Sequence, residues 1–156
     1  MSPYQIAGLP AEGFAPMFSM SDEQLQAIGA RRVFADADHG FPCRVSLQDA
    51  QQGEELLLLS HEHHPVASPY RAAGPIYVRR NAVQAVLAPG ELSPYITRRL
   101  ISVRAYDTGH WMVGAEVCAG DEVAAELERR FADDRVAYVH LHNARPGCFS
   151  CEVRRC

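Results

Sequence analysis

"RRLISVRAYDTGHWMVGAEV" (98–117) is the stretch that decides the fold. It reads as two strands joined by a tight connection around Asp107–His110. A short connection makes the two strands antiparallel, because parallel neighbours need a crossover of a dozen residues or more. Working outward, further strands are expected at 4–9 ("YQIAGL"), 31–37 ("RRVFADA"), 55–64 ("ELLLLSHEHH"), 75–80 ("PIYVRR") and 135–143 ("RVAYVHLHN"). The four leucines suggest a strand buried on both faces, and Ile76 and Val78 share one face of the next.

Two helices are expected. One runs over 21–29: Ser21 caps it, Gln24 completes a capping box, Leu25 and Ile28 form its buried side, and Gly29 stops it. The other runs over about 121–131, with an apolar stripe of Val123, Ala124, Ala125, Leu127 and Phe131, and with Asp121 and Glu122 at its positive end. One helical turn is expected before Pro89-Gly90. Short links between most strands predict an α+β class, mainly antiparallel sheet with two helices, as a single domain over 1–156.

The 156 residues are 47% hydrophobic and 22% charged, with a formal net charge of −4. That balance is globular and excludes a disordered chain. No apolar run is long enough to span a bilayer, and the first residues lack the pattern of a secretory signal, so a cytoplasmic location is expected without membrane contact. The arginine pairs at 31–32, 79–80, 98–99, 129–130 and 154–155 are scattered among acids. Nucleic-acid binding calls for positive charge gathered in one patch, so none is expected, and the pairs read as solvated strand and helix ends. Five cysteines, an odd number, point to free thiols.

The chemistry concentrates in "VAYVHLHNARPGCFSCEVRRC" (136–156). Side chains alternate along a strand, so Tyr138, His140 and His142 share a face, while Ala137, Val139 and Leu141 face a core. His61 and His63 repeat the pattern in "SHEHH". Imidazoles that converge suit zinc or another transition metal, though nothing in the sequence requires one. "CFSC" (148–151) has no second pair to complete a zinc site and lies too near the end for a redox helix. "DADHG" has its glycine in the wrong place for a calcium loop.

"FPCRVS" places Cys43 beside Arg44. A guanidinium favours the nucleophilic thiolate, so Cys43 is a candidate nucleophile with His140 or His142 as its base and Asn143 to orient the ring. Arg44, Arg71 and Arg145 all fall at strand–loop junctions, and arginine's planar fork matches carboxylates and phosphates. Tyr70, Asn143 and Cys148 lie beside them.

"DADHGFPCRVSLQDAQQGEELLLLSHEH", "SPYRAAGPIYVR", "RAYD" and "VAYVHLHNARPGCF" resemble segments of the bacterial domain-of-unknown-function family numbered 1203, over about 6–153. The resemblance implies a small single-domain cytoplasmic protein and carries no activity. His61 departs from the family's pattern, which leaves His63, His140 and His142 as the metal-ligating trio.

The expectation is a pocket for a small anionic metabolite. His140, His142 and Cys43 would be catalytic, and Arg44, Tyr70, Arg71, Asn143, Arg145 and Cys148 would hold the ligand. The alternatives are a metal protein using His63, His140 and His142, and an interaction module without catalysis.

Overall fold

The alternation that predicts strands also sorts their side chains into two environments. A computed structural model describes residues 4–156. Its strands are β1 (Tyr4–Ala7), β2 (Arg31–Phe34), β3 (Pro42–Cys43), β4 (Gln48–Asp49), β5 (Glu55–His64), β6 (Ala72–Arg79), β7 (Leu100–Tyr106), β8 (Met112–Ala119), β9 (Tyr138–Asn143) and β10 (Phe149–Arg155). They form two five-stranded sheets, ordered β1-β10-β9-β7-β8 and β2-β5-β6-β3-β4. The pairing is antiparallel except at Cys43↔Tyr77, where β3 runs parallel to β6. The fold is α+β, as expected from the short links between strands.

The first sheet packs one face against helix α3 (Val123–Phe131). Ile101, Val103 and Ala105 of β7, Val139 and Leu141 of β9, and Val153 of β10 join Val123, Leu127 and Phe131 in one core. The second sheet has its own core. Leu57 and Leu59 of β5 and Ile76 and Val78 of β6 pack with Leu25 of helix α1 (Asp22–Ala27) and with Phe14 and Phe18. Leu56 is buried on the opposite face of β5 with Ala35 and Ala50, so the strand is covered on both sides near its start.

The local signals at the helix ends operate as the residue types dictate. Ser21 Oγ accepts from the Gln24 amide at 3.1 Å, Gln24 Oε1 accepts from the Ser21 amide at 2.9 Å, and Gly29 turns the chain out at φ 74°. Two details of the helical faces differ. Ile28 is 56% exposed, because the helix has already ended at Ala27. In α3, Ala125 faces solvent and Glu126 is buried instead, its carboxylate held by Arg129 and Arg130 on the next turn.

Three boundaries are corrected. The helical turn lies after Pro89-Gly90, at α2 (Pro94–Thr97), where Ser93 caps it; Val86, in the preceding segment, bridges to Ala7 instead. β6 begins at Ala72, so its first residues come from what the prolines mark as loop. The chain closes with β10, not with β9. The C-x-x-C segment therefore runs into a central strand paired with both β1 and β9.

Candidate functional site

The second face of the first sheet is polar and aromatic, and it is covered. Register places Tyr106 beside Tyr138, Arg104 beside His140, and Ser102 beside His142. Glu152 of β10 lies beside His140 on the other side. The end of β5 lies over this face. Its pairing with β6 shifts between His61 and His64, and that irregularity turns the consecutive residues His63 and His64 toward the cluster. His63 lies 5.1 Å from His142 and 6.1 Å from His140 by ring centroids, and His64 lies 4.9 Å from His140. His61 goes elsewhere, against Phe14.

The hydrogen bonds fix several tautomers. A carbonyl only accepts, so His142 Nδ1 carries the proton it donates to the Gly147 carbonyl at 3.1 Å. His140 Nε2 donates to the Glu152 carboxylate at 3.0 Å. His64 Nδ1 donates to the Tyr70 carbonyl, so its Nε2 accepts from the Tyr138 hydroxyl at 2.6 Å, and His110 Nδ1 donates back to that oxygen at 2.8 Å. Among the described residues three ring nitrogens are left buried with no partner: His63 Nδ1, His140 Nδ1 and His142 Nε2.

Burial, with the positive charge of neighbouring imidazoles and Arg104, pushes His63 down to about 4. Burial first, then Arg104, His63 and His140, pushes His142 down to about 3 against the hydrogen bond to Gly147, which acts the other way. His64 is lowered mainly by burial. Glu152 is raised by burial, but the hydrogen bond from His140 and the Arg154 guanidinium hold it below the usual carboxylate range. Tyr138 is pushed up to about 12, chiefly by burial.

This cluster is a seam between sheets, not an open cleft: His140 and His142 are 1% and 2% exposed. The Phe149 ring packs on His63, His140 and His142 with centroids at 5.0, 5.1 and 5.8 Å. Among the described residues no set of three or more His, Cys, Asp or Glu side chains is disposed to hold a metal ion. That disposition gives no support to a zinc or other transition-metal centre on His63, His140 and His142.

The arginines assemble a different place. A cleft of about 620 Å³ opens between the segment around β3, from Gly40 to Arg44, with β5 and β6 on one side and the 98–100 and 143–148 segments on the other. Leu58, Pro75, Tyr77 and Pro146 give it apolar walls, and Arg44, Arg98, Arg99 and Arg145 give it charge. Arg44 is 1% exposed and bonds to no carboxylate. Its Nε donates to the Phe149 carbonyl at 2.7 Å, its Nη1 to the Pro42 carbonyl at 2.5 Å and its Nη2 to Cys148 Sγ at 2.9 Å. Arg98 and Arg99 share the buried carboxylate of Asp49. Arg145 is exposed on the β9–β10 turn, where Gly147 adopts φ 79°. Four guanidiniums against one carboxylate leave an excess of positive charge.

Asn143 lines the same cleft at 4% exposure. Its Nδ2 reaches Cys148 Sγ at 3.8 Å, and its Oδ1 has no partner. A buried unmet acceptor costs on the order of 1–3 kcal/mol, which a ligand donor would recover.

The structure therefore divides the set of residues expected in one pocket. Arg44, Asn143, Arg145 and Cys148 come together. His63, His140 and His142 come together elsewhere, behind Phe149. Tyr70 stacks edge-on against Tyr106 and Trp111, and Arg71 is exposed and paired with Glu62. Cys43 is fully buried, and its sulfur accepts from the Ser46 and Arg79 amides at 3.5 and 3.3 Å. Sealed there, it has no access to a substrate, and neither His140 nor His142 serves it as a base. Sequence reasoning missed His64, His110, Arg98 and Arg99. The histidines stand in plain view in "SHEHH" and "DTGHW". The adjacent arginines carried no signal beyond their pairing.

A family model described as "Protein of unknown function (DUF1203)" matches residues 40–155. No curated protein and no solved structure matches the chain.

Proposed function

The chain belongs to that family, whose description assigns no activity, and on this premise we propose that it binds a small anionic organic molecule in the arginine-lined cleft. One observation carries the reading: Arg145 is exposed at the cleft, and Asn143 Oδ1 is buried there with no partner. A guanidinium recognises carboxylate or phosphate through paired N–H donors. An amide oxygen recognises an N–H or O–H on the same ligand. Apolar walls with a few convergent polar groups are the usual makeup of a small-molecule site.

The histidines support the cleft from behind. His142 holds the Gly147 carbonyl and so braces the turn that carries Arg145. They are positioning residues in this reading, not catalytic ones.

Thermal shift with a series of di- and tricarboxylates and phosphate esters tests the proposal. A ligand that prefers the folded state at about 100 times its dissociation constant adds about 2.7 kcal/mol. At least one anion is expected to raise the melting temperature in a saturable way, and an Arg98→Ala, Arg145→Ala variant is expected to lose the rise. No rise with any anion, or an undiminished rise in the variant, overturns the reading.

A further inference from the structure

Resting on that cleft, we propose that Cys148 is its reactive group and undergoes thiol–disulfide exchange with a small disulfide bearing carboxylates. Cys148 is partly exposed at the cleft, unlike the buried Cys43 and Cys151. Its sulfur accepts from Arg44 Nη2 and Asn143 Nδ2. Arg44 thus sets a positive charge where the negative charge of a reacting thiolate sits. The second observation concerns the other atom of that amide: Asn143 is buried, and its Oδ1, unlike the Nδ2 that reaches the sulfur, has no partner and calls for a donor from a ligand in the same cleft.

The neighbours of the sulfur select the chemistry. Neither a guanidinium nor a carboxamide gives up a proton near neutral pH, so nothing bonded to the sulfur serves as a general acid. A leaving group must then depart as a stable anion. Alkoxides and amines do not, whereas thiolates do. The Cys148 thiol releases its proton to solvent, and the thiolate attacks one sulfur of the disulfide. A new S–S bond forms as the old one breaks, and the other half of the ligand leaves with the electron pair and takes a proton from solvent. Cys148 is oxidised and the departing sulfur reduced. Cys151 does not resolve the product: it is fully buried, and burial pushes its thiol up to about 12. The mixed disulfide therefore persists until an external thiol removes it.

The ligand class follows from the walls. Carboxylates meet Arg145 and Arg98, an amide N–H meets Asn143 Oδ1, and the disulfide lies over Cys148. Glutathione disulfide has all three features and is the probe. Hydroxyethyl disulfide, which is neutral, is the comparison, and the exposed Cys156 is the reference thiol in the same chain. Rates of modification at each cysteine are read by peptide mass mapping. With glutathione disulfide, Cys148 is expected to react at least about tenfold faster than Cys156, in the range that electrostatic steering supplies. The ratio is expected to fall with hydroxyethyl disulfide and in Arg98→Ala, Arg145→Ala. Cys148 reacting no faster than Cys156 overturns the exchange. An equal preference for both disulfides overturns the ligand class. The anion-dependent thermal shift of Cys148→Ser separates the two levels: if it persists while exchange fails, the cleft reading stands and this one falls.

Discussion

Acid is the perturbation that the buried imidazoles make quantitative. His142 has an ordinary value near 6.5 when unfolded and about 3 when folded. The unfolded chain thus holds the extra proton between those limits, and stability rises with pH there. The contribution is whole above pH 7 and is lost as the pH drops below 6.5. At pH 5 the loss is about 1.5 units at 1.36 kcal/mol each, about 2 kcal/mol. His63, at about 4 when folded, acts in the same direction. It is only partly buried, so solvent screening brings its share to about 1 kcal/mol. Glu152, held below its usual range, stays ionised over this window and does not offset them. The sum, about 3 kcal/mol, is a large part of the 5–15 kcal/mol of an ordinary domain. Urea unfolding at pH 7.5, 6.5, 5.5 and 5.0 reads it directly. His142→Gln keeps a donor for Gly147 and removes the titration, so its stability should decline by about 2 kcal/mol less over the same interval. A wild-type stability that is flat from pH 7.5 to 5.0, or a decline unchanged in the variant, would refute the reasoning.

Other outcomes follow from single contacts. In Gly8→Ala the new Cβ would lie 2.0 Å from the Val45 carbonyl oxygen, so the loop must move; thermal melting should show a loss of more than about 1 kcal/mol. Asp49→Asn leaves Arg98 and Arg99 without their carboxylate and should cost about 3 kcal/mol in urea unfolding, the low end for a broken buried pair, because the Arg98 side chain is 39% exposed. Arg145→Ala alone should change stability by less than about 0.5 kcal/mol while weakening anion binding, since its side chain is exposed and bonds to nothing else among the described residues.

Much of the scaffold is legible in residue order. The alternation in "VAYVHLH" separates Val139 and Leu141, in the core, from Tyr138, His140 and His142, and the Ser21–Gln24 box marks a helix start that forms as written. What periodicity does not carry is a change of phase. The irregularity between His61 and His64 breaks the period of two, so His64 joins the cluster and His61 leaves it. Nor does it tell what covers a polar face. Tyr138, His140 and His142 look like the floor of a cleft until Phe149 and the end of β5 close over them. β10 was hidden for another reason: a cysteine motif and two arginines mask Phe149, Cys151 and Val153, whose burial makes the segment a strand. The arginine cleft depends on residues up to about a hundred positions apart, such as Arg44 and Cys148, and only the folded chain brings them within reach.

The two ends of the chain are zipped together: Tyr4 pairs with Arg155 and Ala7 with Glu152. β2 to β6 come from one continuous stretch, 31–79, whereas the other sheet borrows its edge from the opposite terminus. During synthesis the 31–79 sheet can therefore assemble early, while β1 waits for β10 to arrive. A permutant joined through a short linker between residues 156 and 4, and opened at the exposed Thr108–Gly109 turn, would turn that long-range closure into a local hairpin and should fold faster than the natural order.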